Sequence, residues 1–382
     1  MRVLIAIDSF KGNLSSLEVA AIVEKGIRRV YKDAKVEKVA VADGGEGTVE
    51  AIVEEMKGEY IKISVNDPLL EPTVARYGII KGNTAIIEMA EASGLYLIPK
   101  EKRNPMLTST YGTGELIMDA LNRGCRKIIL GLGGSATNDA GLGMAMALGV
   151  KFLDHDGRSM GNGGGALGTL EHVDVSYIDP RIRETEFVVA CDVDNPLYGE
   201  KGASRVFGPQ KGATPEMVDI LDLNLLKYAG VIKKDLGLDT ANIPGAGAAG
   251  GLGYGLTTFC NATMRKGVDI VFEAINIEER IQKADIVITG EGRVDGQTIH
   301  GKTPVGVAAR GKKYGKPVFA IAGFIDKGAE LVYEYGIDSV MSSMVGPLSL
   351  EEAIAQSPRL IEEASERLFR IIKAVASPLQ FD

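Results

Sequence analysis

Residues 2–8, RVLIAID, form an apolar run that ends in an acid, the pattern of a strand buried on both faces. The period then changes. Val19, Ile22, Val23, Gly26, Ile27 and Val30 fall on one helical face, and Ser15 with Glu18 is a candidate capping box that starts the helix. KVEKVAVAD (35–43) predicts a second strand, and beyond DGGEG a short helix carries Val49, Ile52, Val53 and Met56 on one stripe. The same rhythm returns near the C-terminus. DIVITG (285–290), PVFAIAG (317–323) and DSVMSSM (338–344) predict strands. TPVGVAARGKKYG (303–315) predicts a helix with Thr303 as cap and Pro304 in the first turn, and 348–375 a single closing helix.

Five strands alternating with helices predict one open, Rossmann-like parallel sheet, with two strands from the start of the chain and three from the end. The fold class expected is therefore α/β, with a discontinuous domain at 1–60 and 285–382 and a second α/β domain, 61–284, inserted in it. Two sequential domains split near 180 are the alternative. The middle opens with hairpin-like strands (YIKISVNDP, TVARYGII, TAIIEMA) and continues through TGELIMDALNRG as helix, RKIILGLGG and EFVVACDV as strands, and a capped helix at TPEMVDILDLNLLKYAGVI. Its strand order is not evident from the pattern.

Composition narrows the function. The 382 residues are 45% hydrophobic and 25% charged, enough for a real core, and the 48 glycines are aperiodic, which excludes collagen and repeat arrays. A net charge of −8 without a basic run argues against nucleic acid or an anionic membrane as partner. No apolar run reaches membrane-spanning length, and RVLIAID is a strand pattern rather than a signal peptide. Cys125, Cys191 and Cys260 are scattered and form no CxxC, which fits thiols in a reducing cytoplasm. His155, His172 and His300 are too dispersed for a zinc site.

Three glycine patterns resemble nucleotide fingerprints. GQTIHGKT (296–303) fits a P-loop, but five residues separate the expected strand end at Gly290 from Gly296, and Pro304 follows Thr303 where a P-loop helix is already under way. Lys302 remains a candidate anion contact. GLGGSA (131–136) fits a dinucleotide fingerprint, follows a strand and precedes an expected helix, with Asp154 at a suitable distance. Asp139 would then sit among bound phosphates, which suits either a Mg²⁺ between them or a helix cap. GAGAAG (245–250) lacks a preceding strand.

Ligands of an open parallel sheet sit at the carboxyl ends of its strands. Those ends carry DSFKG (8–12), DGGEG (43–47) and TGEGRVDGQTIHGKT (289–303), while the inserted domain offers GLGGSATND and ACDVDNP. Carboxylates to hold Mg²⁺, glycine turns to meet phosphate and lysines to offset charge are the parts phosphoryl transfer needs. Asp43, Asp192 and Asp295 are individually compatible with turn or cap roles, as are Asn138 and Asp139.

These motifs resemble the bacterial glycerate kinase family, class I. The resemblance runs through IDSFKGNLSS, VADGGEGTVEA, STYGTGELI, GGSATNDAGLGMAMALG, ACDVDNPLYGEKGASRVFGPQKGA, PGAGAAGGLG and ITGEGRVDGQTIHGKTPVGVA, with small departures at Asn13 and Ala140. It implies two α/β domains with the site between them, and ATP- and Mg²⁺-dependent phosphorylation of D-glycerate. The 2-hydroxyl is the expected acceptor, and the 3-hydroxyl is the alternative. On that reading ATP phosphates lie on Gly131, Gly133, Gly134, Ser135, Ala136, Thr137 and Asn138. Asp43 and Asp139 hold the metal, and Asp192 is the base. Lys11 and Lys302 neutralise the moving phosphoryl group, while Arg293, Asp295 and Ser9 bind the acid. The rival readings are an NAD(P)-dependent hydroxy-acid oxidoreductase built on GLGGSA and a non-catalytic binding protein for a small acid. A homodimer is the assembly entertained.

Overall fold

The computed structural model describes residues 1–42 and 47–376. Within them the chain forms two compact units, one from 1–42, 50–56 and 268–376, the other from 47–49 and 57–267. Both are α/β.

The first unit is built on a five-stranded, all-parallel sheet in the order Ser339–Ser342, Val318–Ile325, Ile286–Val294, Arg2–Ile5, Lys35–Lys38. Two strands come from the start of the chain and three from its end, as the apolar pattern predicts. Val3 pairs with Ile286 on one side and Val36 on the other, so the first strand is interior to the sheet, and Val3, Leu4 and Ile5 are buried. The helix Ser16–Val30 opens with the expected capping box: the Ser15 hydroxyl accepts the Glu18 amide, and the Glu18 carboxylate accepts the Ser15 amide. It packs on the C-terminal helix Ser357–Ala376 at Gly26, where a Cβ would lie 2.4 Å from the Glu362 carbonyl oxygen.

Four local expectations shift. The strand expected to end at Gly290 runs on to Val294, because Glu291, Arg293 and Val294 keep pairing with Ala322, Phe324 and Ile325. The second strand is only Lys35–Lys38. The single C-terminal helix is two, Leu350–Ala355 and Ser357–Ala376, since Pro358 lacks an N–H and fits only in a first helical turn. Lys302, not Thr303, occupies the N-cap position of the helix Thr303–Lys313 without a side-chain capping bond, and the Thr303 hydroxyl turns instead to Asp8.

The second unit holds a six-stranded mixed sheet in the order Thr263–Arg265, Glu186–Ala190, Lys127–Gly131, Thr84–Glu88, Pro72–Ile80, Glu59–Asn66. The first four strands are parallel, and the last two join antiparallel as the expected hairpins. Its core is closed by the helices Tyr111–Asn122, Pro215–Leu236 and Ala248–Cys260. The last of these contains three left-handed residues, Ala249, Gly250 and Gly251. In each unit the parallel strands deliver their carboxyl ends to one edge of the sheet.

Candidate active site

In the first unit the strand ends enclose a cavity of about 400 Å³. Asp8, Ser9, Lys11, Glu291, Arg293, Asp295 and Lys302 line its polar side, and Phe10, Phe324, Met344, Leu350 and Ile354 its apolar side. Asp8 lies three residues beyond the first strand, its amide bonded to the Gly290 carbonyl at 2.9 Å, and is only 4% exposed. Its Oδ1 accepts the Ser9 amide at 2.7 Å and its Oδ2 the Thr303 hydroxyl at 2.8 Å, so the DSFKG turn is tied to the start of the helix behind GQTIHGKT. Glu291 lies on the extended part of its strand. The Thr298 hydroxyl donates to it at 2.6 Å and the Lys302 ammonium at 3.3 Å. Burial pushes the Glu291 carboxyl above its ordinary range, and those two donors pull the other way.

Arg293 is well exposed, with 62% of its side chain accessible against 31% for Lys302. Its Nε forms an ion pair with Asp295 at 3.1 Å and its Nη2 donates to Asp326 at 2.5 Å, so the guanidinium is held between two carboxylates. The second oxygen of Asp295, Oδ1, accepts the Gln297 amide at 2.8 Å. Five residues singled out in the sequence, Ser9, Lys11, Arg293, Asp295 and Lys302, thus line one cavity. Asp8 and Glu291 were not singled out. The available signal was an acid directly after, or inside, an apolar strand run. GQTIHGKT is a turn between a strand that ends at Val294 and a helix that starts at Thr303, which is not P-loop geometry.

The second unit holds the other candidates. Gly131 ends its strand, and the chain then runs as a loop to a helix of six residues, Leu142–Ala147. No helix starts just behind GLGGSA. The helix starts later, and its first turn is already occupied. The Asp139 carboxylate accepts the Gly141 amide at 3.2 Å on Oδ1, and on Oδ2 the Gly143 amide at 3.2 Å, the Thr110 amide at 2.8 Å and the Thr110 hydroxyl at 2.9 Å. With 0% exposure, Asp139 has the arrangement of the cap alternative rather than of an open metal ligand. Burial pushes its carboxyl up and the four donors oppose that.

Only Gly133 and Gly134 of the loop are exposed; Gly131, Ser135, Ala136, Thr137 and Asn138 are buried. The Ala136 amide is taken by the Ser93 carbonyl at 2.9 Å, and Asn138 donates to the Ser204 hydroxyl at 2.9 Å. Beneath the loop lies Lys211, 2% exposed, donating to the Ser135 hydroxyl and the Thr137 carbonyl, each at 2.7 Å. Burial lowers its ammonium pKa to about 7, with the nearby Asp139 charge opposing. The Gly/Ala segment packs backbone to backbone on the same loop: a Cβ at Gly250 would lie 1.9 Å from the Thr137 carbonyl oxygen. Asp192, by contrast, is exposed beyond the strand Glu186–Ala190, and its Oδ1 accepts the Gly267 amide at 3.2 Å. Asp43 lies outside the described residues.

Among the described residues, the grouping of three carboxylate or histidine side chains able to share a metal is Asp154, His155 and Asp156, in a solvent-facing turn. Asp154 there accepts the Asp156 and Arg158 amides. No helix of the described residues is long and apolar enough to cross a membrane.

Two α/β units whose strand ends carry lysines, an arginine, carboxylates and glycine turns define a small-molecule kinase. The profile of the glycerate kinase family matches residues 3–373. A glycerate kinase of Halalkalibacterium halodurans is 52% identical over 367 residues, covering 96% of this chain and 97% of the relative. A glycerate 2-kinase of Escherichia coli K12 is 52% identical over 354 residues, covering 92% and 93% respectively. A crystal structure of a protein assigned as glycerate kinase 2 from Salmonella typhimurium LT2 superposes with a TM-score of 0.90 at 46% identity, covering 99% of this chain and all of the other. The chain belongs to the glycerate kinase family and is an ATP-dependent kinase acting on glycerate. The oxidoreductase and binding-protein readings are set aside on that ground.

Proposed function

We propose that the enzyme transfers the γ-phosphoryl group of ATP to the 2-hydroxyl of D-glycerate, giving 2-phosphoglycerate and ADP. The observation that carries the residue assignment is the gathering of Lys11, Arg293, Lys302 and three carboxylates around one cavity of about 400 Å³. In this reading Arg293 receives the glycerate carboxylate on its exposed face, already held between Asp295 and Asp326. Asp295 and Ser9 position the hydroxyls. Asp192, an exposed carboxylate, takes the proton as the hydroxyl oxygen forms its bond to phosphorus and the bond to the ADP oxygen breaks. Lys11 and Lys302 offset charge on the transferring group. The exposed Gly133–Gly134 turn meets the nucleotide phosphates, with Ser135 to Asn138 as its buried support.

Mg²⁺ would accompany ATP and offset phosphate charge when bound. Asp43 is the carboxylate we assign to it. Asp139 does not suit the ion, since its oxygens already accept four bonds from the chain. The domain division, the cytoplasmic location and a homodimer belong to the same proposal; three unpaired cysteines support the location.

The test is ADP release from the purified enzyme with Mg-ATP, with and without D-glycerate, and the product resolved by phosphorus NMR. Glycerate-dependent release with 2-phosphoglycerate as product supports the proposal. 3-Phosphoglycerate would overturn the regiochemistry and, with it, the placement of the hydroxyls.

A further inference from the structure

Lys211 is the buried cation that the mechanism above leaves unused. It sits at the end of the turn Pro209–Lys211, and its backbone is fixed by its own amide bond to the Gly208 carbonyl at 3.0 Å. The next residue, Gly212, adopts a left-handed φ of 94°, and a Cβ there would lie 2.4 Å from the Arg103 carbonyl oxygen. The ammonium therefore has little freedom. Both groups that accept from it, the Ser135 hydroxyl and the Thr137 carbonyl, are neutral and lie in the loop after the strand Lys127–Gly131. Burying a lysine whose acceptors are neutral, with the nearby Asp139 charge offsetting only part of the desolvation, is costly, and a fold that needed only filler would use an apolar residue.

The loop it touches needs holding. Ala140 takes a left-handed φ of 52° without being glycine, and the Asn138 Oδ1 is buried without a partner. Its exposed edge is Gly133–Gly134, two residues before Ser135.

We propose that Lys211 is a positioning residue for phosphoryl transfer: its side-chain nitrogen, a donor in either protonation state, clamps Ser135 and Thr137 so that the Gly133–Gly134 turn keeps the shape that receives the ATP phosphates. The inference rests on the reading of that turn as the nucleotide's.

The experiment measures kcat and both KM values for K211M and S135A, with thermal melts to give the folded fraction. K211M keeps the length of the side chain and removes its donors. It is expected to raise KM for ATP by about tenfold or more, leaving KM for glycerate within about twofold. S135A keeps the charge and loses one acceptor, with an expected rise in KM for ATP of about threefold, and it serves if K211M does not fold. Unchanged KM values, with kcat falling only as the folded fraction falls, would overturn the positioning role. A rise in KM for glycerate with KM for ATP unchanged would overturn instead the assignment of the turn to the nucleotide, and leave Lys211 as the residue that positions it.

Discussion

Two of the three loops that imitate nucleotide fingerprints, GQTIHGKT and GLGGSA, use their polar residues in opposite ways. At the end of the strand Ile286–Val294 and in the loop behind it, the charges of Glu291, Arg293, Asp295 and Lys302 line a cavity, and Arg293 remains mostly exposed. Behind the strand Lys127–Gly131, Ser135, Thr137, Asn138 and Asp139 are buried, and their hydrogen-bonding groups are spent largely on the chain itself. The first loop presents chemistry. The second spends chemistry on shape and presents two glycines. A carboxylate in a glycine-rich motif is therefore no more a ligand site than a cap until its burial is known.

The largest effect that tests this contrast is expected at Asp192, an exposed carboxylate of the second unit. Asp192→Asn should lower kcat by about 10²–10⁴-fold, as loss of a general base does, with both KM values little changed. Turnover near wild type would remove Asp192 from the base role. Gly250→Ala probes the buried loop from its other side. A Cβ placed 1.9 Å from the Thr137 oxygen must push the two backbones apart. The expected cost is about 2–4 kcal/mol of stability, read by chemical denaturation, and a loss below about 1 kcal/mol would show that the packing gives way easily.

Arg293→Ala should act on binding instead. Losing a charged hydrogen-bond partner is worth about 1.5–3 kcal/mol, so KM for glycerate should rise about 10- to 100-fold while stability stays within about 1 kcal/mol. An unchanged KM would remove the clamp.

The buried loop also has a pH signature. The Lys211 pKa falls from an ordinary 10.5 to about 7 in the folded protein. Between those values the unfolded chain holds a proton that the folded chain does not, so raising the pH favours folding. The contribution is fully present above 10.5 and is lost as pH falls through 7. Wild type should gain about 1 kcal/mol per pH unit over K211M across that window, measured by denaturation at several pH values. Parallel curves would contradict it. The smallest effect is expected away from both loops, where Ser15→Ala breaks the capping box and should cost about 1 kcal/mol without changing kinetics.

Much of the scaffold was legible in the sequence because its signals are local. Apolar runs at 2–7 and 286–289 mark the central strands, and a period of three to four marks Ser16–Val30. What local pattern missed depends on neighbours. The strand through Glu291–Val294 exists because Val318–Ile325 is there to pair with it. The C-terminal helix breaks before Ser357–Pro358, a signal that was present in the sequence and outweighed by the long amphipathic pattern around it. The site residues were legible as a set of motifs, since lysines and carboxylates beside glycine turns stand out. Their roles were not. Asp139 and Asp295 look alike in sequence and differ in burial, in the Arg293 ion pair at Asp295 and in how many chain donors reach each oxygen. Lys211, in GPQKGA, reads as an ordinary surface lysine, because nothing local records the loop that covers it.

The most direct test of the contrast is the thermal midpoint of Asp139→Asn beside that of Asp295→Asn. The asparagine amide at 139 would point a donor at the donors Thr110 and Gly143 or at Gly141, whichever way it turns. At 295 the exchange leaves an oxygen for Gln297 and weakens only an exposed ion pair. The account predicts a loss on the order of 5 °C or more for Asp139→Asn and less than about 2 °C for Asp295→Asn. Equal midpoints, or the larger loss at Asp295, would contradict it.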